Sequence, residues 1–301
     1  MTQTALILGS TGRFGRQAGK AFSDAGWRIR RFDRGRDTLT TAAQGADVIV
    51  NAWNPQYYDW AAQLPALHAQ VIEAARLADA TVIVPGNVYV FGADTRPPWS
   101  GASPHRATNP LGMLRRDMEE AYRASSVRTI LLRAGDFLDT EPSGNWFDKV
   151  MAAKVARGRF VYPGNPDIPH AWAFLPDLCR AAVQLADMRQ ELPRYTDVPF
   201  PGYAATGREM ASALSRILSR DIELRKMAWW QLQVARPFWK LAPHLIEMRY
   251  LWDTPHWLDR GFFDELLPGF ESTPMETALR RAVAPLIGAE VHPDQPVAAG
   301  V

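Results

Sequence analysis

Residues 5–15 read Ala5-Leu6-Ile7-Leu8-Gly9-Ser10-Thr11-Gly12-Arg13-Phe14-Gly15, and this stretch decides the fold. A short apolar run predicts a strand over Ala5–Leu8. The pattern that follows predicts a helix over Arg13–Ala25, ended by Gly26. Three glycines lie where strand passes into helix. Gly9 permits the tight turn, Gly12 lets backbone come close to a pyrophosphate, and Gly15 lets the helix pack on the sheet. The bare start of a helix then offers N–H groups and a positive dipole end to phosphate. Ser10, Thr11, Arg13 and Phe14 complete the candidate dinucleotide loop. The alternative is a glycine-rich turn that holds no ligand.

Outward from this stretch, strands and helices alternate. Strands are predicted at Arg28–Phe32, Asp47–Asn51, Thr81–Val84 and Thr129–Arg133. Helices are predicted at Asp59–Leu77, with Pro65 kinking or starting it, and at Pro110–Ser125. Alternation of this kind implies a doubly wound parallel sheet of Rossmann type, an α/β fold. Residues 1–138, with a return over 172–200, form the expected nucleotide-binding domain. Residues 139–290 form a smaller, mainly helical substrate region, and 291–301 read as a disordered tail. Capping boxes are expected at Thr206–Glu209 and Thr273–Glu276. An aromatic-rich stretch runs from Trp229 and Trp230 through Phe238, Trp239, Tyr250, Trp252, Trp257 and Phe262 to Phe263. It reads as core or dimer surface, or as the wall of an apolar substrate site.

Composition narrows the function. The chain has 301 residues, 47% hydrophobic and 22% charged, as in ordinary globular proteins. One cysteine excludes an internal disulfide and fits a reducing cytoplasm. The six histidines show no zinc spacing, so no metal is expected. A net charge of +2 without a basic block gives no sign of a nucleic-acid partner. No apolar run is long enough to span a membrane, so no membrane partner is expected. The partners expected are a small-molecule substrate and a second copy in a homodimer. The cofactor is NAD or NADP. Asp33, about 20 residues beyond the glycines, suits the ribose hydroxyls of NAD. Arg34, with Arg31 and Arg36 near it, suits the 2′-phosphate of NADP, and the two signals conflict.

Several motifs resemble the extended and atypical short-chain dehydrogenases, the sugar-nucleotide epimerase and dehydratase branch. The resemblance rests on GSTGRFG at 9–15, Asp33-Arg34, DVIVNAWNP at 47–55, VIVPGNVYVFG at 82–92, LLRAGDF at 131–137, HAWAFLPD at 170–177 and TPMETAL at 273–279. It implies that Ala52, Trp53 and Asn54 line the cofactor cleft, and that Ala134, Asp136 and Phe137 lie at the sheet edge beside the nicotinamide. The family's Tyr-x-x-x-Lys falls on Leu111 and Arg115, and no such motif occurs elsewhere in the chain. Glu119 matches the family's acid. Leu111 transfers no proton, while Arg115 still offers a positive field and a rigid fork. Tyr89 is the candidate replacement. If its segment is extended, it points to the same side as Asn87, which stands at the family's Ser/Thr position and offers an amide to a carbonyl; packed or turn roles are the alternatives. His170 is the remaining candidate, against a structural role. Three functions remain open: an NAD(P)-dependent oxidoreductase or epimerase-like enzyme on a carbonyl or alcohol, a nucleotide-binding sensor without turnover, and a fold that binds no nucleotide.

Overall fold

The computed structural model describes residues 2–288; the tail expected at 291–301 lies outside them. In chain order the elements are β1 (Thr4–Leu8), α1 (Arg13–Asp24), β2 (Arg28–Arg31), α2 (Leu39–Ala43), β3 (Val48–Asn51), α3 (Trp60–Ala78), β4 (Thr81–Gly86), α4 (Pro110–Ala124), β5 (Thr129–Arg133), β6 (Asp136–Leu138), β7 (Arg159–Tyr162), β8 (His170–Phe174), α5 (Leu175–Asp187), β9 (Tyr195–Pro199), β10 (Tyr203–Ala205), α6 (Gly207–Leu218), β11 (Glu223–Lys226), α7 (Trp229–Ala235), α8 (Ala242–Glu247), α9 (Gly261–Leu266) and α10 (Met275–Ile287). They form two compact units. The first takes the described residues through Ala134, with Leu178–Phe200 and Asp259–Phe270. The second takes Gly135–Asp177, Pro201–Leu258 and the described residues from Glu271 onward.

The first unit is built on one six-stranded sheet in the order β2-β1-β3-β4-β5-β9. Every pairing in it is parallel. All residues of β1, β3 and β5 are buried, which explains their continuous apolar sequences: both faces are covered. β2 (Arg-Ile-Arg-Arg) is the edge, and its arginines blunt it against further pairing. The chain goes from β1 out to β2, then returns past β1 to β3. The strand order therefore reverses between β1 and β3, where sheets of this kind bind ligands beyond the carboxyl ends of the strands. α1 buries Phe14, Gln17, Ala18 and Phe22, a helical spacing that places one face inward. α3 runs through Pro65 rather than starting at it. Pro65 is exposed, and the carbonyl it leaves without an N–H partner is that of exposed Ala61, which water can satisfy.

The second unit holds two small sheets, β10-β8-β6 and β11-β7, beside its helices. Phe147, Phe160, Tyr162, Trp172, Phe174, Leu214, Trp252 and Leu279 are among its core residues. The capping box at α6 forms as the sequence predicts: Thr206 Oγ1 accepts the Glu209 N–H (3.1 Å), and Glu209 Oε2 accepts the Thr206 N–H (2.8 Å). The one expected at Thr273 does not form. Asp177 takes both of its partners, accepting from Thr273 N (2.6 Å) and Thr273 Oγ1 (2.9 Å), and a carboxylate is the stronger acceptor. The aromatic stretch divides. Trp229, Trp252 and Phe263 are buried, while Trp230 and Phe238 face solvent.

Candidate functional site

The Gly9–Gly15 loop follows β1, and each of its glycines has a physical reason. Gly9 has φ +71°, and a Cβ there would lie 2.9 Å from the Ala52 carbonyl oxygen. A Cβ on Gly15 would sit 2.2 Å from the Gly9 carbonyl oxygen, closer than any real contact, so α1 seats on the loop only because Gly15 has no side chain. Gly12 is exposed and starts α1 with no side-chain cap and no acid in the first turn. The helix start is thus left open to an anion, and its shape and charge fit a pyrophosphate.

Beside it, after β3, lie Ala52 and Trp53. The Trp53 N–H donates to Asn51 Oδ1 (3.3 Å), and its ring meets Phe32 edge-on at 5.4 Å. The Arg34 guanidinium lies 4.3 Å over the same ring. Asp33 is exposed; its carboxylate accepts from Gly35 N (2.9 Å) and lies 3.3 Å from Arg36 Nε. Acid and bases therefore share the end of β2.

Further along the same edge the expected catalytic positions gather. Leu111 is buried in α4 and has no proton to give. Arg115 is also buried: Nη2 donates to the Pro85 carbonyl (2.7 Å), and its guanidinium carbon lies 5.6 Å from the Trp60 ring. Burial pulls its pKa down, opposed by the charge of Glu119. Tyr89 lies in a 3-10 turn, Tyr89–Phe91, not in an extended strand. Asn87 makes that turn, its Oδ1 accepting the Tyr89 N–H at 3.0 Å. The expected side-by-side display of Asn87 and Tyr89 is corrected accordingly: the Asn87 amide oxygen is spent on backbone. The Tyr89 hydroxyl instead bonds that of Tyr57, 2.6 Å away. Tyr57 packs on Trp60 at 4.9 Å. Sequence reasoning missed Tyr57 and Trp60; the Tyr57-Tyr58-Asp59-Trp60 run after β3 was the available signal.

Two buried networks support this edge. Arg133 uses all five guanidinium donors: Nε to Asp197 (3.1 Å), Nη1 to Glu119 (3.1 Å) and the Asn87 carbonyl (2.6 Å), Nη2 to Glu119 (2.8 Å) and Asp197 (2.5 Å). The acid in α4, the end of β5, β9 and the Asn87 turn are thus tied at one point. His105, Glu119 and Asp197 stand at metal-ligand spacing, within 4.8 Å, but both carboxylates are already bonded by Arg133. The second network joins His68 Nδ1, the Tyr122 hydroxyl (2.9 Å) and Asn51 at the end of β3. Burial, aided by Arg115, holds the His68 pKa down to about 3, so this imidazole is neutral.

His170, Asp136 and Phe137 belong to the second unit, and Ala134 to the first. His170 is buried, bonds Asp136 Oδ2 through Nε2 (2.7 Å), and stacks on Trp252 with ring centres 4.3 Å apart. In the same unit a cavity of about 600 Å³ is lined by Arg208, Lys226, Arg249, Trp229, Asp167 and Asp253, among others. Three cations against two carboxylates leave it positive.

No family model matches the sequence, and no curated protein matches it. Solved structures do. UDP-glucose 4-epimerase from Brucella ovis, in complex with NAD, is 17% identical and superposes with a TM-score of 0.73, covering 97% of this chain and 100% of that one. UDP-N-acetylglucosamine 4-epimerase from Bacillus cereus is 12% identical with a TM-score of 0.72, over 98% and 99%. The Methanobrevibacter ruminantium enzyme of that name, in complex with UDP-N-acetylmuramic acid, is 14% identical with a TM-score of 0.71, over 95% and 99%. This chain has the Rossmann-like fold of those epimerases, and at these identities the likeness is one of fold.

Proposed function

We propose that the chain is an NAD(P)-dependent epimerase-like enzyme or oxidoreductase that acts on a carbonyl or alcohol through a tyrosine pair in place of Tyr-x-x-x-Lys. The observation that carries this reading is the 2.6 Å bond between Tyr57 and Tyr89 in the unit that holds Arg115 and the glycine loop. The open start of α1 and the glycines that fit a pyrophosphate support the cofactor, as do fold neighbours that were crystallised with NAD. Residues 9–15 would hold the pyrophosphate, Asp33 or Arg34 the adenine ribose or its 2′-phosphate, and Ala52, Trp53 and Ala134 the walls. A bound nicotinamide supplies hydride transfer.

The chain's own part is the proton. If Tyr89 gives its proton to a substrate oxygen, the phenolate left behind accepts a hydrogen bond from Tyr57. The Arg115 guanidinium supplies the positive field that a family lysine would. Asn87 fixes the turn that presents Tyr89. In the second unit, His170 and Asp136 form a carboxylate–imidazole pair, and the positive cavity suits a substrate with an anionic part, as the sugar nucleotides named for the neighbours have. One observation favours a sensor without turnover: Leu111 and Arg115, in the family's catalytic positions, are both buried, and Arg115 is bonded to a backbone carbonyl. The test is Tyr89→Phe, assayed with UDP-sugars and simple carbonyls. General acid–base catalysis contributes about 10²- to 10⁴-fold, so turnover should fall by at least about a hundredfold while nucleotide affinity holds. Unchanged turnover removes Tyr89 from the mechanism. Nucleotide binding with no turnover of any substrate by the parent chain supports the sensor.

A further inference from the structure

The second unit carries a surface that the proposed chemistry does not use. In α7, Trp229 and Leu232 are buried. On its other side Trp230 is 65% exposed and Val234 66%, and Phe238 just beyond the helix is 91% exposed. These three stand four residues apart, and the chain keeps a helical bond there, Trp239 N–H to Ala235 O at 2.9 Å. One stripe of apolar side chains therefore faces water. Trp239, 45% exposed, widens it. Four of the eight exposed large hydrophobic residues among those described fall within residues 230–239. Arg236 and Lys240 are exposed within the patch, and residues 229–246 contain no Asp or Glu.

A cluster of exposed rings this dense marks an interaction surface. Its charge says which kind. A second copy meeting it about a two-fold axis would set Arg236 and Lys240 against their own like, with no acid in the segment to pair them. An anionic surface neutralises them, and tryptophan and phenylalanine flanked by basic residues are the side chains that settle at the headgroup level of a bilayer. We infer that residues 230–240 dock the protein on an anionic lipid membrane, lying in its surface. No described helix is long and apolar enough to cross a membrane. The expectation of no membrane partner rested on the lack of a spanning run, whereas a surface-lying stretch of about ten residues is short and broken by Gln231, Gln233, Arg236 and Lys240.

The test uses the full chain and sedimentation with phosphatidylcholine vesicles, with and without phosphatidylglycerol. Binding is expected to the anionic vesicles, weakening as salt is raised. A basic residue near such a surface contributes about fivefold in partition, so Arg236→Glu with Lys240→Glu should lower binding by about 30-fold or more. Trp230→Ser, Phe238→Ser and Trp239→Ser together should abolish it; because all five residues are exposed, thermal unfolding should not change. Three results would overturn the inference: no binding to anionic vesicles, binding that both variants retain, or a concentration-dependent dimer that the serine variant dissolves while vesicle binding is absent.

Discussion

Replacing Arg133 with methionine asks how much of the candidate site depends on one buried charge. Arg133 is fully buried, as is Glu119 at 1% exposed. Arg133→Met removes five hydrogen bonds and leaves the Glu119 and Asp197 carboxylates facing each other without the guanidinium that bonds them both. Breaking a buried pair by removing one partner costs about 3–5 kcal/mol, mostly through the charge left behind. At an m-value of about 3 kcal/mol/M, the urea midpoint should fall by about 1 M or more. The Asn87 carbonyl loses its 2.6 Å donor as well, so the turn that presents Tyr89 should loosen. The triple variant Arg133→Met, Glu119→Gln, Asp197→Asn leaves no carboxylate without its cation, though Arg115 loses the charge of Glu119, and should regain at least half of the loss. A drop of less than about 0.3 M in the single variant, or no recovery in the triple, would refute the account of this node as a charge balance.

Three further predictions concern His68, Gly15 and Gly19. His68 has a folded pKa of about 3 against an unfolded value of 6.5, so the unfolded chain binds the proton first. Its contribution is intact above pH 6.5 and is lost by about 1.4 kcal/mol per pH unit as pH falls toward 3; between pH 6.5 and 5, stability of His68→Gln should fall less steeply than that of the parent. Gly15→Ala should weaken nucleotide binding at least tenfold, since its Cβ has no room against the Gly9 carbonyl. Gly19→Ala, where a Cβ meets nothing within 4 Å, should leave binding unchanged and raise helix stability by up to about 1 kcal/mol.

The parts legible in the sequence were those written locally. The glycine loop carries much of its own reason, because Gly9 takes a positive φ at the turn and Gly15 seats α1 on the Gly9 carbonyl within one strand–loop–helix unit, and the buried strands show as unbroken apolar runs. The Thr206 capping box is likewise a matter of four residues. What the sequence hid depends on partners far away. Thr273 loses its cap role to Asp177, 96 positions earlier. Arg133 meets Asp197 from 64 positions away. Tyr57 reaches Tyr89 only because the ends of β3 and β4 are neighbours. The Asn87–Tyr89 segment failed for a different reason: asparagine makes a turn by accepting a backbone N–H two residues on, which a strand pattern does not foresee.

The central claim is that residues 9–15 hold a dinucleotide. The most direct measurement is calorimetric titration of the protein, stripped of nucleotide, with NADH and NADPH in separate runs. The account predicts saturable one-to-one binding of at least one of them, reduced in Gly15→Ala. The preferred nucleotide then decides between Asp33 and Arg34. No heat of binding with either would contradict the claim and leave the glycine loop as a packing device alone.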